Sequence, residues 1–171
     1  MIAALLLVPA VAGFVALGVT SDRWRRALLV GAAAVHLGLV AVAWPSASAA
    51  APPPGAWLHL DPIGRLVLGL TSALFAVAAV YAVGYLAREG RAPRRDLEED
   101  DLFSNGPEAT FTACMLFFLA TMTLVAVAQN LGVLWVAVEA TTLASAPLIF
   151  FHRHHRSLEA TWKYLLICSV G

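Results

Sequence analysis

Long apolar runs separated by short polar ones set the organisation of this chain. The runs Ile2–Thr20, Ala27–Trp44, Asp61–Leu86, Thr110–Ala128 and Leu131–Phe151 each approach or exceed the ~20 residues that a bilayer-spanning helix needs. A sixth begins near Ser157, and the ~15 residues after the preceding polar stretch are too few to span hydrocarbon at ~1.5 Å rise each. The pattern predicts an all-α, polytopic transmembrane helix bundle with five full spans and a partial sixth. Residues 1–171 form a single membrane domain, expected to be the front part of a longer subunit, and residues 88–108 form a charged cytoplasmic loop.

Punctuation supports these boundaries. Asp61 is a good N-cap, and Pro62 suits the first helical position, where a missing N–H costs nothing. Trp44-Pro45 closes the second run with an interfacial aromatic and a residue that cannot continue a helix. Tyr81 and Tyr85 read as an aromatic belt, and Arg65 can snorkel to the headgroups. The two-residue link Gln129-Asn130 makes the fourth and fifth helices antiparallel neighbours. A secretory signal peptide carries its positive charge before the apolar run, whereas Arg23, Arg25 and Arg26 follow the first run here.

Composition agrees: 60% of residues are hydrophobic and 13% charged, against about a quarter charged in soluble domains. With a formal net charge of zero, nothing suggests a nucleic-acid partner. The expected partners are the lipid bilayer and other membrane subunits. Nine of the eleven basic residues fall in the first, third and fifth connections, so the positive-inside rule places those in the cytoplasm and the N-terminus outside. The expected location is the cell inner membrane, as a multi-pass protein.

Chemistry is sparse. Glu139 is the one charge in Leu131–Phe151, near its middle. A charged residue at the centre of a membrane helix costs roughly 2.5–3.5 kcal/mol on insertion scales, so a carboxyl group there finds a partner or holds a proton. Trp135 and Thr142 lie on roughly its face, and Pro147 frees the Leu143 carbonyl. His36, at mid-depth in the second run, is either a neutral histidine bonded to a neighbouring helix or part of a proton relay. Glu159 and Lys163 are four apart in the order that favours pairing, and Ser157 is a plausible N-cap. The acidic run Glu98–Asp101 lacks the ligand spacing and turn glycine of an EF-hand loop and reads as solvated. The HRHHRS stretch lacks an acidic or thiol partner for a metal and reads as cations meeting anionic headgroups. Cys114 and Cys168 sit in apolar runs without metal-ligand spacing. No redox cofactor is expected, for want of a cysteine cluster or a nucleotide-binding glycine motif.

Residues 130–171, NLGVLWVAVEATTLASAPLIFFHRHHRSLEATWKYLLICSVG, resemble the antiporter-like, proton-translocating membrane subunits of complex I, Mrp-type cation/proton antiporters and group 4 hydrogenases. The Val-Glu-Ala-Thr-Thr-Leu form around Glu139 resembles the F component of hydrogenase 4 more than complex I chain 4, and residues 60–86 resemble the family's third helix. The resemblance implies a proton-translocating subunit, or its N-terminal portion, of a hydrogenase- or NADH-quinone oxidoreductase-like complex, itself non-catalytic. It implies that Glu139 matches a fifth-helix glutamate that tunes a seventh-helix lysine, and that Lys163 matches a lysine at the start of the sixth helix. The seventh-helix lysine would lie beyond residue 171. A stand-alone Mrp-type antiporter subunit and a non-transporting membrane scaffold are the alternatives.

Overall fold

The computed structural model describes residues 1–45, 53, 55–88, 94–95, 102–103, 105–153 and 155–170. Six helices follow in order: α1 (Ile2–Gly18), α2 (Asp22–Ala43), α3 (Pro62–Arg88), α4 (Glu108–Val127), α5 (Leu131–Ile149) and α6 (His155–Val170). Helices α2 to α5 are long and apolar enough to cross a membrane, and α1, at 17 residues, sits at the lower limit of the spanning range. The fold is the expected all-α polytopic bundle. Within 88–108, the backbone of Arg94–Arg95 pairs antiparallel with Leu102–Phe103. The acidic run Glu98–Asp101 and His154 lie outside the described residues, as does most of the linker after Pro45.

The bundle is built around α4 rather than α5, since α4 packs against α1, α2, α3 and α5, whereas α6 leans only on α5. The reason lies in one stripe of α4. Glu108, Thr112, Leu116, Leu119, Thr123 and Ala126 recur at helical spacing and are all buried. Small residues let the other helices come close: one core layer gathers Ala12, Ala16, Ala32, Ala33, Ala79, Ala82 and Ala113 around Leu29, Phe75, Leu116 and Leu119. A second layer joins Leu5, Val40, Ala43, Leu60, Leu68, Ala126 and Val127. Where lipid is the solvent, helices associate through such close packing and interhelical hydrogen bonds. Gly64 marks the tightest approach, because a Cβ there would stand 2.2 Å from the Ala126 carbonyl oxygen.

The order of these layers along each helix shows that α1 to α4 alternate in direction. One end of the bundle holds the α1–α2 connection, the end of α3 and the start of α4. The other holds the α2–α3 and α4–α5 connections, where the extended stretch at Leu58 bridges Ala128 and covers the end of α4. Asp61 caps α3 as expected, its Oδ1 accepting from the Gly64 amide at 2.6 Å. Asn130 caps α5 in the same way, accepting from the Gly132 amide at 2.8 Å.

Three boundary expectations are corrected. Arg23, Arg25 and Arg26 are not a loop: they lie in the first turns of α2, and only Val19, Thr20 and Ser21 connect α1 to it. Arg25 turns back to α1, donating to the carbonyls of Ala16 and Val19 while pairing with Asp22 at 2.6 Å, so orphan carbonyls at the α1 C-terminus are satisfied. Ser157 does not cap α6 but sits inside its first turn, its hydroxyl donating to the His152 carbonyl. Tyr85 belongs to a polar chain rather than a lipid-facing belt.

Candidate functional site

Three polar assemblies are built into this apolar bundle, and the sequence-predicted residues are divided among them. The first is a layer at mid-height. His36 on α2 is fully buried, with Nδ1 3.0 Å from Ser72 Oγ on α3 and Nε2 3.0 Å from Thr123 Oγ1 on α4. The proton positions follow from counting donors. Thr123 gives its only hydroxyl proton to the Leu119 carbonyl at 2.7 Å, so it must accept from His36 Nε2–H, and Nδ1 then accepts from Ser72. In the neutral ring this is the Nε2–H tautomer.

The second assembly clamps the end of the bundle nearest the α1–α2 connection. Arg26 forks onto Glu108 at the start of α4, with Nε donating to Oε1 at 2.7 Å and Nη2 to Oε2 at 2.9 Å. Nη2 also donates to the Leu86 carbonyl near the end of α3 at 3.0 Å. One guanidinium therefore ties α2, α3 and α4 with the bidentate geometry that Arg alone offers a carboxylate. Beside it, His152 Nδ1 lies 2.7 Å from Asn105 Oδ1, and its Nε2 lies 2.9 Å from the Tyr85 hydroxyl. Phe111 and Phe151 pack edge to face at 4.9 Å next to that chain. His152 thus braces the turn after α5. Arg26, Tyr85 and the stretch holding His152 were noted in the sequence, but none of these pairings was, and Glu108 and Asn105 were not singled out. The available signal for Glu108 was an acid directly after Pro107 at the head of an apolar run, but its partner is 82 positions away.

The third assembly is the middle of α5. Glu139 is half-buried, and among the described residues its carboxylate has no hydrogen-bond or ion-pair partner. The neighbouring hydroxyls do not serve it. Thr141 donates to the Ala137 carbonyl at 2.8 Å and Thr142 to the Val138 carbonyl at 3.2 Å, bonding back to their own helix. Ser145 donates to the Thr142 carbonyl at 2.9 Å and accepts from Tyr164 on α6 at 2.8 Å. Trp135, expected on the face of Glu139, is exposed, whereas Thr142 turns to the interior. Large apolar side chains of α5, including Leu131, Val136 and Leu143, are left uncovered.

Lys163 lies on α6, where it pairs with Glu159 at 2.5 Å and both side chains are largely exposed. Glu139, Lys163 and His36 are therefore not brought together. His36 is enclosed by α1 to α4, Glu139 stands half-covered on α5, and Lys163 is engaged locally. Among the described residues no group of His, Cys, Asp and Glu side chains could hold a metal ion.

Comparison with known proteins gives one informative likeness. No family model matches the chain, and no solved structure matches it. Over 120 residues, 70% of its length, it is 29% identical to a protein described as a hydrogenase-4 component F homolog from Methylacidiphilum infernorum (isolate V4). That stretch covers 23% of the relative, so the chain spans well under half of it.

Proposed function

We propose that this chain is part of a membrane subunit of a hydrogenase- or complex I-like assembly, and that Glu139 carries a proton there. The polytopic bundle and the likeness to a hydrogenase-4 component F homolog support the membrane-subunit reading. The observation that carries the proton reading is the isolated carboxylate. A group that costs roughly 2.5–3.5 kcal/mol at the centre of a membrane helix stands there without a partner among the described residues. Such a group exchanges a proton or pairs with a cation from outside.

In this reading Glu139 takes up and hands on the proton, and Lys163 is a cation whose pairing with Glu159 can be exchanged for another carboxylate. In the same reading His36, bonded to Ser72 on α3 and Thr123 on α4, braces the bundle first and relays second. The redox chemistry belongs to other subunits. The inner membrane, with the N-terminus outside, is the orientation that the distribution of arginines favours.

Glu139→Gln tests the reading, because it keeps the size and polarity of the side chain but removes the exchangeable proton. In the assembled full-length complex, reconstituted in vesicles, the variant should assemble normally and pump protons well below wild type. Wild-type pumping by the variant excludes the relay role. Loss of assembly instead makes the glutamate structural.

A further inference from the structure

Helices α1 and α2 diverge from their three-residue connection and leave a groove of about 830 Å³ on the outside of the bundle. Its walls are apolar, formed by Ala12 and Val15 on one side and Leu28, Gly31 and Val35 on the other, with Trp24 at its mouth. Both helices lie in a bundle whose spans are membrane-crossing by length and composition, so the walls face hydrocarbon.

The mouth is different chemically. Of the three arginines that open α2, Arg25 is spent on Ala16, Val19 and Asp22, and Arg26 on Glu108 and Leu86. Arg23 is exposed and has no partner among the described residues. It continues the stripe of Ala27 and Gly31 at four-residue spacing, and those two residues line the groove. Beside it the Trp24 indole, a donor with no acceptor among the described residues, is 73% exposed. A free guanidinium and an indole N–H at the rim of an apolar channel complement one kind of molecule, a phosphate with a hydrocarbon chain attached.

We propose that the α1–α2 groove is a binding site for an anionic phospholipid, its acyl chain lying along Val15, Leu28 and Val35 and its phosphate held at Arg23 and Trp24. An apolar helix from a partner subunit would fill the walls equally well but would leave Arg23 unpaired, which is why the charge favours lipid.

Native mass spectrometry of the full-length chain in detergent, titrated separately with phosphatidylglycerol and phosphatidylcholine, tests this. The wild-type chain should retain one phosphatidylglycerol about fivefold more strongly than phosphatidylcholine, the preference one basic residue gives near anionic headgroups. Arg23→Gln should bring that ratio close to one. Gly31→Leu should reduce retention of both lipids at least about fivefold by filling the groove, and no atom within 4 Å of a Cβ at Gly31 obstructs its folding. Equal retention of the two lipids by the wild-type chain, or undiminished retention in Gly31→Leu, overturns the proposal. So does a Gly31→Leu chain that keeps its lipid while a partner subunit is lost on purification of the assembly, because the groove then holds a helix.

Discussion

The Arg26–Glu108 clamp is the contact on which the described bundle should depend most. Glu108 has 9% of its side chain accessible and Arg26 22%, so removing the guanidinium strands a carboxylate with little water to solvate it. Removing one partner of a buried ion pair costs about 3–5 kcal/mol. The partial exposure of Arg26 lets some solvent into the gap, so Arg26→Met should fall near the lower figure, about 3 kcal/mol. Glu108→Gln should cost less, about 1–2 kcal/mol, because Arg26 keeps the Leu86 carbonyl and reaches water. The double variant Arg26→Met/Glu108→Leu leaves neither charge stranded and should lose only about 1 kcal/mol. Equilibrium unfolding in mixed detergent micelles, followed by far-ultraviolet circular dichroism, measures all three. The reasoning fails if Arg26→Met costs less than about 1 kcal/mol, or if the double variant loses the sum of its singles. Because the clamp fixes α4, and α5 rests on α4, it also sets the position of Glu139.

Two other predictions use the same geometry. Gly64→Ala places a methyl group 2.2 Å from the Ala126 carbonyl oxygen and 2.6 Å from Asp61 Oδ1, so α3 must move off α4. The cost should be about 1–3 kcal/mol, while Gly31→Ala, with open space around it, should be neutral or stabilising by up to about 1 kcal/mol. Similar effects at the two sites in the same unfolding assay would contradict the packing described. For orientation, single cysteines replacing the exposed Pro53 and Arg88 in a chain lacking Cys114 and Cys168 should label asymmetrically. Pro53→Cys should react with an impermeant thiol reagent in intact cells and Arg88→Cys only after permeabilisation, and the reverse pattern would invert the topology.

Hydropathy runs made the helices legible in sequence because burial in lipid acts on every residue of a span. The cap at Asp61 and the Glu159–Lys163 pair were legible too, since their partners lie within four residues. Contacts across the bundle were not. The arginines at the head of α2 read as a loop because charge usually ends a span, yet Arg25 and Arg26 are accommodated by carbonyls and a carboxylate from α1, α3 and α4. Nothing in the local sequence around Arg26 announces Glu108. The central role of α4 was hidden for a related reason: its buried stripe mixes Glu108, Thr112 and Thr123 with leucines, and so looks no more interior than its neighbours.

His36 shows what a polar residue in an apolar span can and cannot say. Its depth alone left a brace and a relay open, and its partners show how it ties helices together. Thr123 has one proton and spends it on Leu119, which makes the threonine an acceptor, fixes the histidine tautomer and turns Ser72 into a donor. Both ring nitrogens are then occupied, and three helices converge on one side chain. Glu139 presents the opposite arrangement. Its hydroxyl neighbours face their own helix, its carboxylate has no partner among the described residues, and the large apolar side chains around it are uncovered. A satisfied polar group at mid-depth holds helices together, and an unsatisfied one needs a proton or an incoming cation. That difference in satisfaction, rather than depth or charge, is the reason for proposing proton transfer on α5 and cohesion in the layer around α4.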